Sequence, residues 1–192
     1  MGRTLTQTRA TPKTRVPVTG RPKIIARCSW ATHEPLLSYH DKEWGTPLHD
    51  ERKLFEFLIL EGAQAGLSWE TILRKRDAYR AAFDRFDPKK VARYTARDVT
   101  RLMKDAGIVR NRAKITSTIG NAKVFLAIQT EHGSFDSYLS GYTDAAVLSR
   151  DLRARGMRFI GPTIVESFME ATGRLDHHEP RCFRKSKAAL LV

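Results

Sequence analysis

Between Asp50 and Gly66 the chain reads DERKLFEFLILEGAQAG, and no other stretch limits the fold so sharply. Leu54, Phe55, Leu58 and Ile59 fall at i, i+1, i+4, i+5, the spacing of an apolar stripe on a helix, and Gly62 and Gly66 mark its end. The stretch SWETILRKRDAYRAAF repeats the pattern through Ile72, Tyr79 and Phe83, with Ser68 placed as N-cap and Pro88 soon after. TARDVTRLMKDAG opens with Thr95 and Asp98 in capping-box spacing and stops at Gly107. Further helices are predicted around 111–130, 144–155 and 162–172. Alternating strand patterns are nearly absent and no internal repeat is found, so the fold class expected is all-α.

With 192 residues and 41% hydrophobic content, the chain suits one domain with a sizeable core. Its net charge of +13 favours polyanionic partners, DNA or RNA first. Seven of those charges come from Arg3, Arg9, Lys13, Arg15, Arg21, Lys23 and Arg27, a segment without one acidic residue. Residues 1–27 are therefore expected to be a disordered basic arm, either adding phosphate affinity or dispensable, and residues 28–192 the single folded domain. The longest apolar runs are far short of the roughly 20 residues that span a bilayer, and no apolar region follows the basic N-terminus as in a secretory signal. The expectation is a cytoplasmic protein with no membrane partner and reduced thiols.

Only two cysteines are present, Cys28 near the start of the predicted domain and Cys182 near the end. A disulfide between them is disfavoured in the cytoplasm, which leaves a metal site or two buried thiols. His178 and Cys182 stand at i, i+4 and can present both donor atoms to one zinc ion. Cys28 and one of His33, His40 or His49 would complete a tetrahedron.

Outward from Cys28 the sequence gives RCSW, YHDKEWG, LFEFLILEGAQAGLSWETIL, DAGIVRNRAKI and RFIGPTIVESFM, and last the His178/Cys182 pair followed by Phe183 and Arg184. In this order and spacing the blocks, spanning about 28 to 184, resemble the 3-methyladenine DNA glycosylase I family of base-excision repair enzymes. The resemblance implies a helix-hairpin-helix fold in which one structural zinc per chain clips the N- and C-terminal segments together through Cys28, His40, His178 and Cys182. It further implies monofunctional hydrolysis of the N-glycosidic bond of 3-methyladenine in alkylated double-stranded DNA, by a monomer that flips the base and has no lyase activity. Glu61 of LEGAQAGLSW would be the catalytic carboxylate that meets the extruded base, between Trp30, Tyr39 and Trp69. Read from its residues alone, Glu61 turns out to solvent or caps an amide, and each aromatic, like Trp44, is core.

DNA grip is expected from the corner LMKDAGIVRNRAKI, where Lys104, Gly107, Arg110, Arg112 and Lys114 surround a helix N-terminus. Gln64 and Leu67, on the tight turn after the glutamate, would fill the space left by the extruded base. The only acid between Lys114 and Ser134 is Glu131, read as a solvated helix-end residue. Three departures from the family pattern stand out: Leu36 or Leu37 where a second tyrosine is expected, Glu166 where an aromatic is common, and GRLDHH, which makes His177 a rival ligand. A zinc-stapled DNA-binding module and a zinc hydrolase are the competing readings. The first does not need Glu61 among stacked aromatics, and the second needs an open coordination position.

Overall fold

A computed structural model describes residues 25–185, which are all-helical: among them are nine α-helices and no strand. These are α1 (Leu36–Lys42), α2 (Glu51–Gln64), α3 (Trp69–Ala82), α4 (Pro88–Val91), α5 (Ala96–Lys104), α6 (Arg112–His132), α7 (Phe135–Leu139), α8 (Ala145–Ala154) and α9 (Pro162–Ala171), with a short 3-10 turn before α4. Residues 1–24 of the predicted arm and 186–192 of the predicted domain lie outside the described residues. Arg27, assigned to the arm, instead makes a bidentate pair with Asp41 at 2.7 to 3.0 Å.

Local chemistry sets most helix ends. Asp50 starts α2 by accepting from Lys53 N at 2.8 Å, Ser68 starts α3 by accepting from Thr71 N at 3.2 Å, and the predicted Thr95/Asp98 capping box is formed at α5. Two predicted stops shift. Gly62 lies inside α2, where a β-carbon would come within 3.2 Å of Phe159 O, and α5 ends at Lys104. Beyond that end Gly107 donates its N–H to Asp105 Oδ1 at 2.7 Å, and it approaches Ala78 so closely that a β-carbon would stand 2.7 Å away.

α2 is the central element. Rather than one buried stripe, every residue from Leu54 to Ala63 is buried, because α3, α6, α7 and α9 all pack against this helix. Phe55, Phe125 and Phe135 fill one side, with Phe125 and Phe135 stacked at 4.3 Å, while Tyr79, Phe83 and Phe86 stack near the 3-10 turn. So complete a burial also encloses two carboxylates, Glu56 and Glu61.

The two ends of the domain meet beside α1. Phe183 N donates to Ala26 O at 2.9 Å, Glu179 accepts from Ser29 N at 2.7 Å, and Leu48 N donates to Thr172 O at 3.2 Å. Gly173, at φ +70°, passes so near Thr46 and Pro47 that a β-carbon would lie 2.6 Å from Pro47 N, so the chain requires glycine there.

Candidate active site

Successive residues of α1 serve two different sites. Tyr39 faces a cleft of about 360 Å³ between α1, the end of α2, the start of α3 and α9, while His40 faces a cluster of cysteine and histidine. Cys28 and Trp30 divide in the same way.

The cleft brings together the four residues singled out from the sequence, Trp30, Tyr39, Glu61 and Trp69. Tyr39 and Trp69 approach to 5.4 Å between ring centres and Trp30 and Tyr39 to 6.2 Å, which makes a largely aromatic wall. Size and lining suit a small planar ligand. Glu61 does not turn out to solvent: it is 3% exposed, and its Oε2 is buried with no hydrogen-bond partner among the described residues. Burial in this apolar setting, reinforced by the nearby charge of Glu170, pushes the Glu61 carboxyl up to about 8. Burial, and then Glu61, raise the Tyr39 hydroxyl well above its ordinary value. Trp69 Nε1 is a second buried polar atom of the cleft without a hydrogen-bond partner among the described residues. A cleft holding an orphan acceptor and an orphan donor is organised for a ligand that supplies both.

Sequence reasoning missed part of this lining. Trp44, assigned to the core, is buried but borders the cleft and meets Trp30 edge-on at 5.1 Å. Ser167 and Glu170 enter from α9, and neither was singled out within or after the RFIGPTIVESFM block. Leu36 occupies the wall where a second tyrosine was expected, leaving that side apolar. Glu166 is exposed.

In the neighbouring cluster Cys28, His40, His178 and Cys182 are all buried, and one donor atom from each lies within 4.8 Å of all the others. The thiols are free. Cys182 Sγ stands 3.3 Å from His40 Nε2 and 3.6 Å from His178 Nδ1, and Cys28 Sγ 3.6 Å from the same His178 nitrogen. Tetrahedral ligands at zinc–sulfur and zinc–nitrogen bond lengths would stand about 3.5 Å apart, so the donor set fits such an ion. The surroundings fit as well. His40 Nδ1 pairs with Asp41 at 2.9 Å, which leaves Nε2 for a metal, and Glu179 N and Arg184 N donate to the two sulfurs at 3.3 and 3.4 Å. Asp41 is held down to about 2, mainly by Arg27. The other candidate histidines are engaged elsewhere: His33 with Glu70, His49 with Asp136, and His177, the rival ligand, with Glu170 at 2.5 Å.

At the corner between α5 and α6, Lys104, Arg110 and Arg112 are exposed and Asn111 caps α6 by accepting from Lys114 N at 3.2 Å. Lys114 differs from expectation. Its ammonium donates to Ala63 O at 2.9 Å and Ala65 O at 2.6 Å, closing the C-terminus of α2, and burial lowers its pKa. It is not a free phosphate ligand. Leu67 is 41% exposed at the tip of the turn after α2, and Gln64 borders the cleft. Glu131 pairs with Arg155 at 2.6 Å, away from the cleft.

Comparison with known proteins gives a consistent result. The family model described as methyladenine glycosylase matches residues 30–185. DNA-3-methyladenine glycosylase 1 of Escherichia coli (strain K12) is 42% identical over 179 residues, 82% of this chain and 96% of that protein. DNA-3-methyladenine glycosylase of Haemophilus influenzae is 39% identical over 83% of this chain and 97% of its own length. Among solved structures, that of 3-methyladenine DNA glycosylase I from Staphylococcus aureus, described as showing the basis of 3-methyladenine recognition, superposes with a TM-score of 0.80. It is 40% identical and covers 84% of this chain and 97% of that one.

Proposed function

The chain belongs to the methyladenine glycosylase family, and from that premise we infer that it is a base-excision repair DNA glycosylase hydrolysing the N-glycosidic bond of 3-methyladenine in alkylated DNA. The observation that carries the site assignment is Glu61, a carboxylate buried without a partner in an aromatic cleft. Such a group is costly to the folded protein unless a ligand compensates it. A DNA-binding module that only grips the backbone has no use for it.

Methylation at N3 places positive charge on the purine and weakens its bond to deoxyribose, and the base departs neutral. A strong general acid is therefore unnecessary. The enzyme must extrude the base at a cost of a few kcal/mol and hold it where water reaches C1′. Trp30, Tyr39 and Trp69 stack against the extruded ring, and electron-rich faces favour a cation. Glu61, protonated at neutral pH while the cleft is empty, ionises against the cationic base and accepts a hydrogen bond from it. Unmodified adenine brings no charge and gains much less, which supplies the selectivity. The reaction inferred is monofunctional hydrolysis, without lyase activity.

Double-stranded DNA is gripped at the α5–α6 corner, which acts as the helix-hairpin-helix element, through Lys104, Arg110, Arg112 and the backbone near Gly107. Leu67 and Gln64 fill the gap in the stack. Cys28, His40, His178 and Cys182 would hold one zinc, which with four protein ligands would supply a structural clip rather than chemistry. The protein works as a monomer, and two buried cysteines without a disulfide between them suit the reducing cytoplasm. Incubation with methylated duplex DNA should release free 3-methyladenine in single-turnover amounts. Tight duplex binding without any base release would leave only the binding-module reading.

A further inference from the structure

Three carboxylates border the aromatic cleft among the described residues, and the fold commits them to different degrees. Glu70 is taken up at the surface by Arg74 at 2.6 Å and His33 at 3.2 Å. Glu61 Oε2, at the other extreme, has no hydrogen-bond partner. Glu170 stands between them. His177 Nδ1 meets its Oε1 at 2.5 Å, and Glu170 makes no other hydrogen bond or ion pair among the described residues, so its second oxygen is left for a ligand.

Helix register explains why Glu170 is there. α9 buries Val165, Phe168 and Met169 and packs on α2 and α8, which brings Ser167 and Glu170, one turn apart, to the edge that borders the cleft. Donor atoms of Glu166, Glu170 and His177 lie within 4.8 Å of one another. Glu166 and His177 are two of this chain's departures from the family pattern, and both converge on Glu170. The protein carries a net charge of +13, yet this cleft presents carboxylates, a local field that repels phosphate and draws a cation. Glu170 is also near enough to Glu61 for its charge to add to burial in raising that carboxyl. Like charges on α2 and α9 oppose each other in an empty cleft, and a cation bound in it relieves that opposition.

We propose that Glu170 is a second base-selecting carboxylate, which from the α9 side of the cleft acts with Glu61 to set the preference for a cationic over a neutral purine. The proposal rests on the glycosylase reading above, in which the cleft receives the extruded base. His177 holds one oxygen and so fixes the carboxylate's direction, while the other oxygen is available to the base. A positively charged ring then meets two negative charges from different helices. Neutral adenine, of nearly the same shape, meets the same groups without the Coulomb attraction.

The test compares two small probes on the full chain: 3,9-dimethyladeninium, a cationic base with methyl in place of the sugar, and the neutral 9-methyladenine. The chain's three tryptophans, Trp30, Trp44 and Trp69, all border the cleft, so quenching of their fluorescence reads binding directly. Removing Glu170 also makes Glu61 easier to ionise, which acts in the opposite direction. Titrations are therefore run at about pH 9, above the Glu61 value of about 8, where Glu61 is ionised with or without Glu170. Glu170→Gln keeps the shape and removes the charge, so affinity for the cation should fall by about ten-fold and affinity for 9-methyladenine by under about two-fold. The loss of cation affinity should persist in the Glu61→Gln background. Its disappearance there would mean that Glu170 works only through Glu61, and overturns the proposal. An equal loss for both probes with a lowered melting temperature also overturns it, since Glu170 would then merely fasten His177 to α9. If the wild type prefers the cation and Glu170→Gln prefers it just as strongly, Glu170 is excluded while the glycosylase reading stands. A wild type that binds neither probe would sink the base-cleft reading, and the proposal with it.

Discussion

Glu56 and Glu61 lie on the same helix, both nearly inaccessible, and the protein treats them in opposite ways. Glu56 receives Arg76 Nε at 2.5 Å and Arg80 at 2.8 Å, so its charge is neutralised inside the molecule. Burial acts to lower the Arg76 pKa, but the charges of Glu56 and Glu43 outweigh it and the net shift is upward. Glu61 receives no hydrogen bond or ion pair from any described residue, and its carboxyl rises to about 8. One end of α2 is thus satisfied by the fold, while the other is left for something outside it. A structural carboxylate comes with its cations, and a carboxylate meant for a cationic ligand is kept apart from them.

The proposed metal clip tests whether the two ends are truly independent, and its loss should have the largest effect. Cys28 and His40 belong to the segments that carry Trp30 and Tyr39, so the proposed clip would support the wall facing Glu61 directly and reach the Glu56 network only through Glu43 at the end of α1. Purified protein should contain about one zinc per chain by elemental analysis. Chelation should lower stability more than any substitution below, read as a large drop in melting temperature. Below that lowered melting point, base release per folded molecule should fall far less. Abolished release at an unchanged melting temperature would mean that the metal does chemistry.

Next in size is Glu56→Ala. It strands Arg76, which is buried, and removing one partner of such a pair costs about 3–5 kcal/mol. Single-turnover release per folded molecule should stay near wild type. A loss of activity without a loss of stability would erase the contrast between the two glutamates.

Glu61→Gln should give the reverse pattern. A charge-assisted hydrogen bond is worth about 1.5–3 kcal/mol, so excision of 3-methyladenine should slow by about ten- to a hundred-fold, with undamaged DNA bound as before. The folded-state value of about 8 lies above the ordinary 4.5, so between these the native state holds a proton that the unfolded state has released. Wild-type stability without DNA should therefore fall as pH rises from about 4.5 to 8, and Glu61→Gln should flatten that decline. The excision kcat/KM of the wild type should climb over the same range and level off above about 8. A variant with the wild-type pH dependence of stability would show that the raised carboxyl is not Glu61.

The sequence disclosed these two ends unequally. Long helices such as α2, α3 and α6 were legible from their length, apolar content and end signals, although α2, buried on every side from Leu54 to Ala63, keeps no single stripe, and Thr95 with Asp98 signalled a helix start. α1, α4 and α7 are too short for a period to register, although α1 carries both Tyr39 and His40. Glu61 and its aromatics were found through family resemblance, since nothing in the local pattern says that an apolar helix hides its glutamate instead of turning it outward. The Glu56–Arg76 pair escaped entirely because it joins two helices, and so did Glu170, whose placement depends on how α9 packs against α2. The ligand set was half legible: His178 and Cys182 share a local spacing, but choosing His40 over His33 or His49 needed either the family or the fold.

Lys114 gives the smallest and most discriminating effect. From its place among Lys104, Arg110 and Arg112 it reads as a phosphate ligand, yet its ammonium points inward to Ala63 O and Ala65 O, the last carbonyls of α2 just beyond Glu61. A cation at a helix C-terminus satisfies orphan carbonyls and complements the helix dipole. Lys114→Met keeps much of the apolar stem and removes those bonds, so stability should fall by about 1 kcal/mol. If the structural role is right, the salt slope of duplex binding stays the same and the loss appears in the melting temperature and, through a loosened α2 end, as a modest slowing of excision. A salt slope lower by about 0.9 at an unchanged melting temperature would return Lys114 to the DNA interface. In that case the Glu61 end of α2 would be held by packing against α3, α6 and α9 alone, without the tether that Glu56 has in Arg76.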